Sequence, residues 1–169
     1  MRTRSDRLAD RILEGAELLA NFAAQLTDAQ WNTVVQPDGR TVGVLVHHVA
    51  NLYPIEMDVI RVAVAGHAIE GLTWEGIAQL NAEHALKFAL VSKEEALAFL
   101  ARTSRAAAAE VRLLSDAELD RAVPFSLSGD APMTVQFIIE DHPLKHAWHH
   151  LAGIRQALGE VVVRLERAA

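Results

Sequence analysis

The chain has no cysteine among its 169 residues. No disulfide can form, and no thiolate of its own can serve as nucleophile or metal ligand. Any thiol chemistry needs a thiol carried in by a small molecule. Glycine (9) and proline (5) are few, which excludes collagen-like and Gly/Pro-rich disordered classes. Positive charge is also scarce. Lys plus Arg total 16 against 22 Asp plus Glu, a formal charge of −6. There is no dense basic cluster, so a nucleic-acid partner is not expected. No apolar run approaches the roughly 18 residues that suggest a membrane span. The start, MRTRSDRLADRILEG, is basic but lacks the apolar segment of a signal peptide. These absences point to a cytoplasmic protein with no membrane partner.

What is present is alanine, leucine and helical spacing. Apolar residues make up 51% and charged residues 22%, the profile of a folded globule. The length suits a single domain over 1–169. In the first helix Leu8, Ile12, Leu18, Leu19, Phe22 and Leu26 form an inward stripe, with Ser5 as a candidate N-cap. Pro37-Asp38-Gly39 signals a turn. A second helix is predicted from about Thr41 to Ala65. A third follows Ser92, where Ser92-Lys-Glu-Glu95 fits a capping box, and runs to about Leu114. TWEGIAQLNAEHALKFA makes a shorter helix between them. Residues 115–132 read as a short capped turn and a connection. A fourth helix spans about Met133 to Leu158 and is stopped by Gly159. The tail GEVVVRLERAA fits a short strand or a continuation. Four long amphipathic helices with one short extra helix between the second and third predict an all-α helix bundle.

Half of the eight histidines lie between 142 and 150. His142, His146 and His150 follow one another at i+4, and His149 is at i+3 from His146, so all four share one side of a helix. Two imidazoles at i and i+4 can reach one metal ion. A third ligand must come from elsewhere, and the second helix offers His47 and His48. Heptad counting gives Leu45, His48, Leu52, Ile55, Val59 and Val62, apolar except for His48. The stripe through His47 reads Val44, His47, Asn51, Pro54 and Asp58, which is mixed. His48 is therefore placed inward and His47 at the edge. A histidine in an apolar stripe is costly unless its nitrogens are satisfied. A metal ion satisfies them, and so does a carbonyl hydrogen bond. The cluster at 142–150 likewise fits either a ligand pair or a solvent-facing helix.

Other residues carry less. Glu56, two turns after His48, fits a support for a ligand, a general base or a surface carboxylate. Tyr53 could orient a ligand or pack. Trp148 is placed in the core. His67 and His84 are isolated and have no role. Pro54 and Pro143 fall inside the histidine-bearing helices and tend to kink them. Pro143 could instead mark a helix start capped by Asp141. Three imidazoles leave open positions on an ion, the pattern of a catalytic site. Ala147 follows His146, so the glutamate of the His-Glu-x-x-His protease motif is missing.

The stretches TVGVLVHHVANLY and HAWHHLAGIRQAL resemble the DinB/YfiT-like superfamily, and the order of four long helices extends the likeness over most of the chain. The resemblance implies a four-helix bundle with up-down-down-up connections. It implies a divalent metal, zinc or nickel among others, held by one histidine of the second helix and a His-x-x-x-His pair of the fourth. Carried onto this sequence, those positions are His48, His146 and His150. His142 and His149 offer alternative registers. The run Leu151-Ala152-Gly153-Ile154 departs from the family's Gly-Gln-Ile, and Pro143 is unusual there. Members of the family include thiol S-transferases and a thiol-dependent isomerase that use low-molecular-weight thiols. The resemblance therefore implies a metal-dependent thiol transferase acting on a small electrophile, and a homodimer. Arg61 and Arg155 are cations that could hold such a thiol, without a pattern to mark them. The alternatives are a non-catalytic metal-binding stress or interaction protein and a metal-assisted hydrolase with Glu56 as its base.

Overall fold

The computed structural model describes residues 2–159, and nearly every helix in it starts behind a hydroxyl. Thr3, Thr27, Thr41, Thr73, Ser92, Ser115 and Thr134 each accept a hydrogen bond from the backbone N–H three residues on. They open α1 (Arg4–Ala24), α2 (Asp28–Trp31), α3 (Val42–Val64), α4 (Trp74–Lys87), α5 (Lys93–Arg112), α6 (Asp116–Leu119) and α7 (Val135–Ile139). Such a cap contributes about 1 kcal/mol by satisfying an N–H that has no partner within the helix. The cap of α1 is Thr3 rather than Ser5. Asp6 completes a capping box with Thr3, while Ser5 is buried and its hydroxyl donates to Arg112 O. Ser92 caps α5 as its sequence predicts, but only through the Glu95 N–H.

Side-chain contacts fix the directions of the long helices. Arg112 of α5 pairs with Asp10 of α1, and Arg4 pairs with Asp116 just beyond α5, so these helices are antiparallel. Arg61 of α3 pairs with Glu110, each near its C-terminus, so α3 and α5 are parallel. α8 (Lys145–Ala157) meets α3 through His150 with His48 and His146 with Glu56, which is antiparallel. It meets α1 through Trp148 with Gly15 and Arg155 with Phe22, which is parallel. The result is an up-down-down-up four-helix bundle. A parallel α3/α5 pair needs a long return between them, and α4 lies in that return.

The fourth helix is one rod in three parts. α7 runs into a π turn at Glu140–Leu144 and then into α8, which has no side-chain cap. Pro143 supplies no N–H, and its ring would clash with a carbonyl one α-turn back. The wider turn accommodates both problems. Pro143 is therefore not a helix start, and Asp141 pairs with Lys145 instead of capping. α3 likewise runs on through Pro54. Gly159, at φ 75, follows the last turn of α8. The tail beyond it lies outside the described residues.

The core is built from Ile12 and Leu19 of α1, Leu45 and Ile60 of α3, Leu100 of α5 and Ile154 of α8. The α1 stripe is narrower than its spacing suggests, since Leu18 is exposed and Phe22 only half-buried. One feature departs from an all-α reading. β1 (Ala122–Phe125) and β2 (Ala131–Thr134) pair antiparallel around a turn with Gly129 at φ 65 and Asp130 at φ 59. Val123 and Phe125 point inward. Ile69 N–H donates to Pro124 O and Ser126 N–H donates to Ile69 O, which ties the hairpin to the segment before α4. Four-residue strands containing Pro124 and Pro132 are too short to show a period-2 pattern.

Candidate metal centre

α3 changes character along its length. From Val42 to Ala50 every residue is buried, because α2 and the neighbouring bundle helices surround this half. His47 and His48 are therefore both 2% exposed, and the edge position expected for His47 is wrong. Trp31 lies so close over Gly43 that a Cβ there would meet its ring at 2.5 Å. In the second half Tyr53, Glu56, Met57, Ile60 and Ala63 are buried, whereas Ile55 and Val62 are exposed. The stripe of Leu52, Ile55 and Val59 faces a cavity rather than a helix.

His48, His146 and His150 converge in the wall of that cavity. One ring nitrogen from each lies within 4.8 Å of the other two. The ring centroids of His48 are 5.3 Å from His146 and 5.3 Å from His150, and those of His146 and His150 are 5.1 Å apart. His142 is i+4 from His146 but sits in the π turn, with its ring edge against Phe125 at 5.6 Å. His149 is exposed at the cavity edge. Neither joins the group.

Burial keeps two of these rings neutral. His48 is pushed far below the ordinary histidine range by burial and then by the Arg40 charge. His150 is pushed down to about 3 by burial, His146 and Arg40. His146 Nδ1–H donates to Glu56 Oε1 at 2.8 Å, which fixes its tautomer and leaves Nε2 with its lone pair. Two neutral imidazoles and a third oriented by a carboxylate, with converging nitrogens, fit a divalent ion and leave further positions on it open. Glu56 is thus not a surface carboxylate.

Behind His48 lies a second histidine pair. His47 Nδ1 is 2.9 Å from His84 Nε2, with His47 stacked on Phe88. His84 comes from α4 and its ring is 5.6 Å from that of His48. Burial, and then His47 and Arg40, lower it to about 4. No spacing rule could have linked His84 to His47, because they meet only through the tertiary fold. Arg40 was missed for the same reason. Trp148 does not fill the core; it lies over Gly15 with 36% exposure. Tyr53 packs, 1% exposed. Arg61 is paired with Asp58 and Glu110 on the surface, and Arg155 lies over Phe22. Among the described residues Arg40 Nη1, Tyr53 OH, Glu56 Oε2 and His84 Nδ1 are buried polar atoms without a hydrogen-bond partner.

The cavity has a volume of about 510 Å³. Besides α3 it is walled by Leu72, Trp74, Ile77 and Leu80 of the α4 region and by Phe125 and Leu127 of the hairpin. Its polar lining includes Asp38, Arg40, Glu56 and Asn81 besides the three rings. An apolar chamber with a few convergent polar groups is the form of a small-molecule site. Among the described residues no helix is long and apolar enough to cross a membrane.

Residues 11–154 match the sequence profile of the DinB superfamily. No curated protein matches the chain. Among solved structures, YfiT from Bacillus subtilis, described as a probable metal-dependent hydrolase with an unusual four-helix bundle topology, is similar with a TM-score of 0.71. The match covers 95% of this chain and 91% of that one at 19% identity, a likeness of fold.

Proposed function

This chain belongs to the DinB superfamily, and on that footing we propose that His48, His146 and His150 hold one divalent cation, zinc or nickel first, in an enzyme that acts on a small molecule. The observation that carries the reading is the convergence of three ring nitrogens from α3 and α8 in the wall of an apolar cavity. An ion held there supplies a Lewis acid that lowers the pKa of a water or thiol. The chain's own groups do the rest. Glu56 holds His146 with Oε1 and keeps Oε2 uncommitted, so the carboxylate is placed to accept a proton from an attacking nucleophile. Leu52, Ile55 and Val59 limit water around the apolar part of the substrate.

Metal-dependent hydrolysis is the reading favoured by the site, because Glu56 supplies the base that hydrolysis needs. The description of YfiT agrees with it. The cavity volume favours a second reading, transfer of a low-molecular-weight thiol to an electrophile, since about 510 Å³ admits two small reactants. A homodimer in the cytoplasm is the proposed setting. Light scattering on the purified protein tests the dimer.

The first experiment is elemental mass spectrometry on untagged protein beside His48→Ala and His150→Ala. One divalent ion per chain, lost in both variants, is expected. A wild type that takes up neither zinc nor nickel removes the reading. Ester hydrolysis that needs metal and fails in Glu56→Gln selects the hydrolase. Metal-dependent consumption of thiol with chlorodinitrobenzene, indifferent to Glu56→Gln, selects thiol transfer. Neither activity in a metal-loaded protein leaves a non-catalytic metal-binding bundle.

A further inference from the structure

Arg40 is a cation that the metal reading leaves unused. It ends a tight turn just ahead of Thr41, the cap of α3. The turn is held by Val35 N–H donating to Arg40 O at 2.9 Å and Gly39 N–H donating to Val35 O at 2.8 Å. Gly39 sits at φ 84, where a side chain would be strained. The guanidinium is fixed in turn. Its Nε–H and Nη2–H donate to Asp38 Oδ1 and Oδ2 at 2.6 and 2.7 Å. This two-point pairing sets the plane of the group and leaves Nη1 as the end not engaged by Asp38. Nη1 is shielded from solvent and meets no acceptor among the described residues.

The Arg40 side chain is only 14% exposed and borders the same cavity as His48 and His150. A charged N–H held out of water without an acceptor is unfavourable. A ligand oxygen would offset that cost.

We propose that Arg40 Nη1 receives a carboxylate oxygen of the substrate, so that the pocket selects small monoanionic carboxylates with an apolar body. A single charge is favoured because Asp38 already balances Arg40 and Glu56 adds another negative group to the cavity wall. A phosphate dianion would face both carboxylates with one donor end to hold it. The apolar body matches Leu52, Val59, Ile77 and Leu80. The inference rests on this cavity being the substrate site proposed above.

The test uses the full chain freed of metal by a chelator, with its histidines intact. It is titrated with 3-phenylpropanoate, 3-phenylpropanamide and phenyl phosphate by calorimetry or ligand-observed NMR. The acid is expected to bind on the order of tenfold tighter than the amide, the low end for a charge-assisted hydrogen bond. Arg40→Gln abolishes that preference. Asp38→Asn keeps the guanidinium, removes its counter-charge and strengthens acid binding severalfold; this variant decides the matter if Arg40→Gln does not fold. Equal binding of acid and amide, a preference that survives Arg40→Gln, no gain in Asp38→Asn, or phenyl phosphate binding tighter than the acid would each overturn the proposal. A chain that holds one ion yet shows no carboxylate preference loses this inference and keeps the metal reading. A carboxylate preference in a chain that takes up no ion does the reverse.

Discussion

Glu56 Oε1 lies 2.8 Å from His146 Nδ1, joining two antiparallel helices across 90 residues of sequence. The contact aims one ring nitrogen of His146 away from the carboxylate. It also brings a carboxylate next to the buried, neutral rings of His48 and His150.

Glu56 can therefore be divided into its two jobs by substitution. Glu56→Gln keeps an oxygen for His146 Nδ1–H but no charge and no base. It should weaken metal binding by up to about tenfold, the low end for a group that orients a ligand, and abolish hydrolysis. Glu56→Ala should lose both, with a drop in metal affinity toward about 100-fold. Competition with a chromophoric chelator measures the affinities. Metal binding unchanged in Glu56→Ala would show that His146 needs no such support.

The histidines outside the triad give a sharper control. His142→Ala and His149→Ala should each retain one ion per chain, because the π turn sets His142 against Phe125 and His149 is exposed. Loss of the ion in either variant would move the ligand set by one register. Elemental analysis on the pair decides it.

Acid should destabilise the metal-free protein well before its carboxylates titrate. His84 and His150 are lowered by burial to about 4 and about 3, and His48 lies lower still. In the unfolded chain an imidazole titrates near about 6.5. The folded values lie below the unfolded one, so the unfolded state binds more protons in the interval between them. Stability is thus complete above about pH 6.5 and falls as the pH drops toward 4. The slope is at most about 1.4 kcal/mol per pH unit for each histidine. Urea denaturation at pH 7.5 and 5.5 in the presence of chelator should give a clearly lower midpoint at 5.5. Equal midpoints would mean that these rings are not buried and neutral.

Two glycines under tryptophans should respond unequally to a methyl group. A Cβ at Gly43 would meet Trp31 at 2.5 Å, and one at Gly15 would meet Trp148 at 2.6 Å. Trp31 is buried and its Nε1–H donates to Val91 O at 3.2 Å, so it is held on both sides. Trp148 lies at the surface and can swing outward. Gly43→Ala should cost about 1–3 kcal/mol through overpacking. Gly15→Ala should come out near neutral, since better helix propensity contributes up to about 1 kcal/mol in the other direction. Thermal melting ranks them.

The four-helix order, the added helix between the second and third, and the burial of His48 are legible in the sequence because each rests on local periodicity or on a cap; the same periodicity puts His47 at the edge, where the fold buries it equally. The stripe Leu52, Ile55, Val59 shows how far such periodicity reaches. Its spacing reports a face that avoids bulk water, and here the face lines a cavity instead of meeting a helix. The buried face of that half runs through Tyr53, Glu56 and Ile60 instead, which is how a carboxylate reaches the interior. His84 and Arg40 carry no local mark. One sits on α4 and the other on a turn before α3, and only the closed fold sets both near His48. The hairpin was invisible because its strands are four residues long and each contains a proline.

The π turn at Glu140–Leu144 amounts to one extra residue slipped into a helix. The wide turn absorbs that residue locally, so the α-helical segments on either side keep the phase they would have without it. Deleting Pro143 would therefore wind the turn back to ordinary pitch and leave His146 and His150 on the side of the rod that faces α3. Keeping the residue but winding it into ordinary α-helix, as a non-proline there would allow, would instead rotate His146 and His150 by about 100° off that side while Ile138 and Ile139 upstream kept their places in the core.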